Sequence, residues 1–318
     1  MRFSTHLGYA LLATAGLGFI GTAVAAPPEP VLPAPEKISP HVYAWIGPLD
    51  GPSKENQGYR MNMAFIVGSE AIAVVETGYT EAMGEQMLAH IRKISDKPVK
   101  YAINSNSQPD RFMGNPAFRR AGISIIAHRL SAERMAAEGA NFAANIERIL
   151  EKPAGSIKIP QPPDRIIDQE LELSLGNISL RIINLGPAHT PAQLAIAVLA
   201  DNIVYAGDSL YGQRLLAITP ASNTASWIAA YNILRKFGNA TFIPGHGEPG
   251  PLSKFEFPTH DYLALLLTHM NKMVAEGVDL QDAIDRLDQS KFAELANFEQ
   301  LAGRNASLVY LEREAAAF

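Results

Sequence analysis

The feature that most constrains the fold is an order of strand and helix that recurs in two halves of the 318-residue chain. "HVYAWIG", "MNMAFIVG" and "AIAVVETG" come first, short runs rich in β-branched and aromatic residues that read as strands. A helical stretch "TEAMGEQMLAHIRKIS" follows, then the strand "VKYAIN" and a helix leading into "SIIAH". A long amphipathic helix is expected from Ser131 to about Glu151, and the Pro-rich "KIPQPPD" then acts as a linker. The second half repeats the scheme with "RIIDQELELSLGNISLRIINLG", "QLAIAVLADNIVYAGD", the helix "TASWIAAYNILRKFG" and the strand "ATFIPG". Strand meanders alternating with helices predict an α/β fold of two mixed sheets packed face to face, helices outside. From Lys254 onward the pattern is helical and reads as an extension, residues 254–318, packed on that domain.

Composition narrows the function classes. A chain that is 47% hydrophobic and 19% charged can bury a real core. Its net charge of −5 and lack of any basic run remove the electrostatic footprint of a nucleic-acid binder. With no cysteine there is no disulfide framework, thiol nucleophile or thiolate zinc ligand. Residues 1–25 read as an export signal: Arg2, the apolar "LGYALLATAGLGFIGTAVA", and Ala23-Val24-Ala25 as a small-residue cleavage site before Ala26. A Pro-rich leader over residues 26–40 follows, and a periplasmic or secreted location is expected. No later run of 18 apolar residues occurs, so no membrane span is expected in the mature form.

Four short motifs stand where strands end. "NSNSQPDRFMGN" carries Asp110 at a helix start, "GPAHT" carries His189, "YAGDSL" carries Asp208 and "IPGHGEPG" carries His246. Each places a ligand-type side chain beside Gly or Pro, where the backbone turns sharply and holds a side chain toward a cleft. One alone is a weak signal, since a lone His in a turn is commonly a hydrogen-bonded structural residue. Together they form a plausible oxygen and nitrogen ligand set.

In this order the motifs resemble the metallo-β-lactamase superfamily over about residues 40 to 250. The resemblance implies an αββα sandwich spanning residues 41–253, and "VVETGYT" fits its early strand and loop, with Glu76 where the family usually has Asp. The stretch "YAINSNSQPDRFMGNPAFRRAGISIIAH" and the tail "RNASLVYLERE" further resemble exported quinoprotein-relay zinc metallohydrolases, which implies a periplasmic quinoprotein dehydrogenase system as partner.

The chain departs from the family in one loop. Asn106 and Gln108 stand where the family carries the two histidines of its first metal site, and Arg111 where many members carry a final His. His189 and Asp208 alone remain for that site, which reads as degenerate. Neutral amides bind a divalent ion far less well than imidazole. Asp110, Asp208 and His246 match the second site, so one divalent ion is expected, zinc in the first place, with manganese or iron as alternatives because two carboxylates make the site harder. The resemblance implies Asp110 and His189 as catalytic residues, His189 as a further ligand or as a base beside a metal-bound water. Arg111, Asn106 and Gln108 are the candidates for holding substrate, with Arg111 alternatively a salt bridge that orients Asp110. The expected activity is hydrolysis of a small ester, thioester or amide-like molecule. The alternative is an inactive binding or accessory protein linked to the quinoprotein system.

Overall fold

The computed structural model describes Met1 and residues 31–317. The export signal expected over residues 1–25 therefore lies, Met1 apart, outside the described residues. The chain divides into two units, Met1–Pro30 and Val31–Phe318, and the second holds all the described secondary structure. Among the described residues no helix is long and apolar enough to cross a membrane.

The first sheet contains β1 (Glu36–Lys37), β2 (Val42–Trp45), β3 (Met63–Val67), β4 (Ile72–Val75), β5 (Val99–Asn104), β6 (Ser124–His128) and β7 (Arg165–Ile167), side by side in that order. The first four pair antiparallel; from β4 to β7 the pairing is parallel. The second contains β8 (Leu171–Ser174), β9 (Ser179–Gly186), β10 (Gln193–Val198), β11 (Ile203–Tyr211), β12 (Thr241–His246) and β13 (Gly250–Pro251), also in chain order. Only β11 and β12 of this sheet run parallel. Both sheets are mixed, as the strand pattern predicts.

The period-two alternation of the strands sorts side chains into layers. In β3, Ala64 and Ile66 point between the sheets while Met63 and Phe65 point out. In β11, Ile203 and Tyr205 face inward while Val204 and Ala206 face the outer helices. Strands covered on both faces read as near-continuous apolar runs, and β4, β10 and β11 are buried throughout. Outside the first sheet lie α1 (Glu81–Ile94), α2 (Pro109–Phe112), α3 (Asn115–Arg120) and α4 (Arg129–Ile149). Outside the second lie α5 (Thr224–Leu234), α6 (Tyr262–Ala275), α7 (Leu280–Asp285) and α8 (Phe298–Ala317). This is the αββα sandwich. Helix α1 buries Met83, Met87, Leu88 and Ile91, one stripe at helical spacing, and starts at Thr80, whose side chain accepts from the Met83 amide. His128 likewise caps α4, Nδ1 accepting from the Leu130 amide.

Residues 31–40 and the C-terminal helices both pack with the sandwich. The fold begins within the stretch read as leader: Leu32 is buried with Trp45, the Trp45 indole donates to the Pro33 carbonyl at 3.0 Å, and β1 pairs with β2. The C-terminal helices share one core with the second sheet, and Asn305 stitches α8 to the loop after β11 by accepting from Ile218 N and donating to Leu216 O.

A polar clasp joins the two sheets at one edge. Asp201, in the turn between β10 and β11, accepts from Ser39 Oγ, from the His41 amide at 2.9 Å and from His41 Nδ1 at 2.7 Å. Replacing Asp201 with Ala leaves these donors without an acceptor, and a hydrogen bond to a charged group contributes ~1.5–3 kcal/mol. We expect Asp201→Ala to lower the unfolding free energy by an amount in that range, read as a lower urea midpoint with an unchanged m-value. A wild-type midpoint would show that the clasp adds nothing to stability.

Candidate functional site

The loop after β5 is set by backbone and amide contacts. At its base, Asn104 and Asn115 bond reciprocally at 3.1 and 2.9 Å, and Thr77 Oγ1 donates to the same Asn115 oxygen. Gly114 is required there, because a Cβ would lie 1.9 Å from the Thr77 carbonyl oxygen. The Arg111 carbonyl accepts from Thr77 N and from Asn104 Nδ2. Arg111 is thereby fixed through its main chain, with Pro109 opening its short helix α2.

Its guanidinium is fixed more tightly. Nε and Nη2 form a fork on the two oxygens of Asp208 at 3.0 and 2.5 Å. Nη1 donates to the Asn62 carbonyl at 3.0 Å, and Nη2 also approaches Gly245 O at 3.4 Å and His246 Nε2 at 3.5 Å. Gly245 admits this packing, since a Cβ there would lie 2.2 Å from Asp208 Oδ1. Asn106 Nδ2 completes the shell, 2.8 Å from Asp208 Oδ2. Both members of the pair are buried. Burial alone would push the Asp208 carboxyl up, but the Arg111 guanidinium, foremost among the groups that oppose this, holds it well below the usual carboxylate range. For Arg111 the burial penalty is likewise outweighed, by Asp208 and then Asp110, and its charge is secured.

Beside this pair lies a cavity of about 220 Å³ lined by Gln108, Asp110, His189, Asp208 and His246, so the topology brings five of the seven residues singled out from sequence into one pocket. Asn106 and Arg111, expected to hold substrate, do not line it. They are fully buried with their side chains on Asp208, and Arg111 orients Asp208 far more closely than Asp110, from which its Nε lies 3.7 Å away. His246 Nδ1 lies 2.9 Å from the Arg60 carbonyl, which can only accept, so that nitrogen carries the proton and bare Nε2 faces Arg111 and Asp208. Burial keeps both histidines more readily neutral than usual. Their rings flank Tyr211, at 6.0 Å for His189 and 5.0 Å for His246.

A divalent ion shared by Asp110, Asp208 and His246 does not fit this arrangement. Arg111 already takes both Asp208 oxygens and approaches the free nitrogen of His246. Among the described residues, the trio whose ligand atoms lie within 4.8 Å of one another is Glu256, His260 and Asp261. That cluster could hold a metal, but it lies outside the pocket lining, and Glu256 is paired with Arg235 at 2.8 Å.

Sequence reasoning missed the arginines. Arg60, Arg214 and Arg304 line the same cavity, from the β2–β3 connection, the loop after β11 and helix α8. Arg60 reaches Asp110 Oδ2 at 3.3 Å. Arg214 is only 3% exposed, and its Nε and Nη1 have no partner. Gln213 immediately before it sits at φ 62°, a left-handed conformation that costs a non-glycine residue energy. None of these positions carries a periodic or motif signal. Glu76, at φ 67° after β4, is buried beneath the loop and accepts from the Ser105 amide at 3.1 Å. Burial pushes its carboxyl up to about 8.

Comparison with known proteins agrees with this architecture. The family described as the metallo-beta-lactamase superfamily matches residues 59–246. The linear primary-alkylsulfatase of Pseudomonas sp. (strain ATCC 19151) is 23% identical over 217 residues, 58% of this chain and 41% of that protein, so the chain spans about two-fifths of that relative's length. The metallo-beta-lactamase from Pontibacter korlensis superposes with a TM-score of 0.55 at 19% identity, over 70% of this chain and 94% of its own. TMB-1 does so with a TM-score of 0.56 at 19% identity, over 71% and 94%. At these identities the structural likeness is one of fold.

The Glu76 carboxyl gives a pH signature. In the unfolded chain it ionises near its ordinary 4.5, in the folded protein only near 8. Between those values the folded state binds the extra proton, so its contribution falls as pH rises, by up to roughly 1.4 kcal/mol per pH unit, and is fully present only below the lower value. Glu76→Gln removes this titration, and the stability difference, variant minus wild type, should therefore grow from pH 5 to pH 8 in urea titrations. A difference independent of pH would mean that Glu76 is ionised in the folded protein.

Proposed function

The chain belongs to the metallo-beta-lactamase superfamily, a superfamily of metal-dependent hydrolases, and from that premise we propose that it is a binding protein on a hydrolase fold, with a buried guanidinium behind its pocket holding the carboxylate that would otherwise serve an ion. One observation carries the reading: the Arg111 fork on Asp208. To admit a metal, that side chain would have to leave the acceptors it holds in the interior. Abandoning a buried charge without its partner costs roughly 3–5 kcal/mol. Asn106, in place of a ligand imidazole, supports the same reading, because its amide donates to Asp208 and so treats that carboxylate as an acceptor. Export rests on the N-terminal stretch from Arg2 to Ala25. A link to a periplasmic quinoprotein system rests on the likeness of the loop and tail sequences alone.

A second reading, a hydrolase with one ion acting on an ester, thioester or amide, has its own supporting observation. Asp110 Oδ1 and His189 Nδ1 are buried without partners, and buried polar atoms are ordinarily satisfied. The pocket itself answers this as well as a metal does, since both residues line the cavity and a ligand or water held there can bond to them.

Metal analysis separates the two. Protein purified without chelator should contain no stoichiometric zinc, manganese or iron, and its melting temperature should be indifferent to chelator. Arg111→Met should lose roughly 3–5 kcal/mol of stability by leaving Asp208 buried and unpaired. A bound ion in molar amount whose removal lowers the melting temperature would replace this reading with that of a mononuclear hydrolase.

A further inference from the structure

Three cationic side chains converge on the cavity, and the two carboxylates that line it do not balance them. Asp208 is taken by Arg111 beneath the floor, and Asp110 is reached by Arg60. Arg214 and Arg304 are left. Among the described residues neither forms a salt bridge or a side-chain hydrogen bond. Arg304 is exposed on α8, where a solvated guanidinium is unremarkable. Arg214 is different: a guanidinium needs about five hydrogen-bond acceptors, and this one is almost wholly buried with two of its nitrogens unmet. Leaving a charge so desolvated costs several kcal/mol unless something pairs with it.

The backbone also commits residues to this placement. Gln213 holds its left-handed φ while its side chain accepts from the Glu248 amide at 2.8 Å. Arg214 forms a strand-like bridge to Ala296, with Leu215 N donating to Ala296 O and Ala296 N to Gln213 O, both at 2.9–3.1 Å. The C-terminal segment thus pins the main chain on both sides of Arg214 and, from α8, adds Arg304 and Leu301 to the same cavity. Leu301 and Ala217 give that side an apolar surface next to the charges.

Deepening the binding reading on which it rests, we infer that the pocket takes a small organic anion, its oxyanion head (sulfate, phosphate or carboxylate) on Arg214 between Arg60 and Arg304, and its carbon part against Leu301 and Ala217. An oxyanion presents several acceptors to the two-pronged donor face of a guanidinium, so one group on a fork that includes Nη2 meets one of the unmatched nitrogens and the uncompensated charge together. A cavity of about 220 Å³ has room for a head group with a few carbons. Asp110 Oδ1 and His189 Nδ1 remain to meet a hydroxyl or water beside the head.

The test is calorimetry on chelator-treated protein with inorganic sulfate, inorganic phosphate, acetate and butyl sulfate as probes, followed by melting curves with the tightest of them. Wild type should bind at least one anion saturably, more weakly as chloride is raised, and be stabilised by it. Arg214→Gln should weaken that binding on the order of a hundredfold, the equivalent of about 2.7 kcal/mol, while its unliganded melting temperature stays level or rises because an unpaired buried charge is gone. Arg304→Gln should weaken binding by a smaller factor, and Arg119→Gln, away from the cavity, should leave it unchanged. No saturable binding of any probe, or binding that survives Arg214→Gln, overturns the inference. Anion binding that appears only after zinc is added and still needs Arg214 would keep the ligand class and overturn the metal-free reading instead.

Discussion

The ion pair between Arg111 and Asp208 is the constraint around which the rest of the site is arranged. Two charges removed from water cost several kcal/mol each, and their attraction offsets this only when geometry is good and the remaining donors are met. Here they are met from several directions: Asp208 from β11, the Asn62 carbonyl from the β2–β3 connection, and Gly245 and His246 from β12. The Arg111 carbonyl, meanwhile, binds the end of β5 and the turn after β4. Five separate segments from both sheets therefore meet at one residue, three at its side chain and two at its carbonyl. This explains the glycine beside the pair: Gly245 leaves room that a Cβ would fill, 2.2 Å from Asp208 Oδ1. It also makes the pocket floor a stiff one, and recognition falls to the walls.

The layers were legible in the sequence and the walls were not, for a physical reason. Strand alternation and apolar runs report burial directly, so β2 to β6 and β9 to β12 follow the patterns read from the chain. The motif residues were legible too, because glycine and proline at strand ends leave a mark that does not depend on distant partners. His41 shows the limit: it has no partner at motif spacing, yet its partner Asp201 lies 160 positions along the chain. Arg60, Arg214 and Arg304 fail the same way. A lone arginine in a loop or on an exposed helix turn looks like surface solvation, and Arg214 is a buried charge in the fold, where its loop pairs with the segment that precedes α8. For the same reason Arg111 read as a residue for substrate. Its sequence neighbour is Asp110, but its spatial partner is Asp208.

Charge bookkeeping around the cavity distinguishes structural from functional arginines. In a metal centre the carboxylates of a site are balanced by the ion. Without one, Asp110 and Asp208 would crowd each other as like charges, which raises a carboxyl's pKa and destabilises the ionised pair. The Asp208 carboxyl is instead held low. Arg111 serves Asp208 and Arg60 serves Asp110. Glu76 lies behind them, and with its carboxyl pushed up to about 8 by burial it is largely uncharged at neutral pH and needs no cation. Two guanidiniums are thus sufficient for the structure to stand. Burial and then the nearby positive charge of Arg60 make the Arg214 cation harder to maintain than an ordinary arginine's, and Tyr211, Asp208 and Asp110 offset this only in part. A side chain placed at such a cost, held by a left-handed residue on one side and a strand-like bridge on the other, is the point in the cavity where the proposed anion would supply a counter-charge.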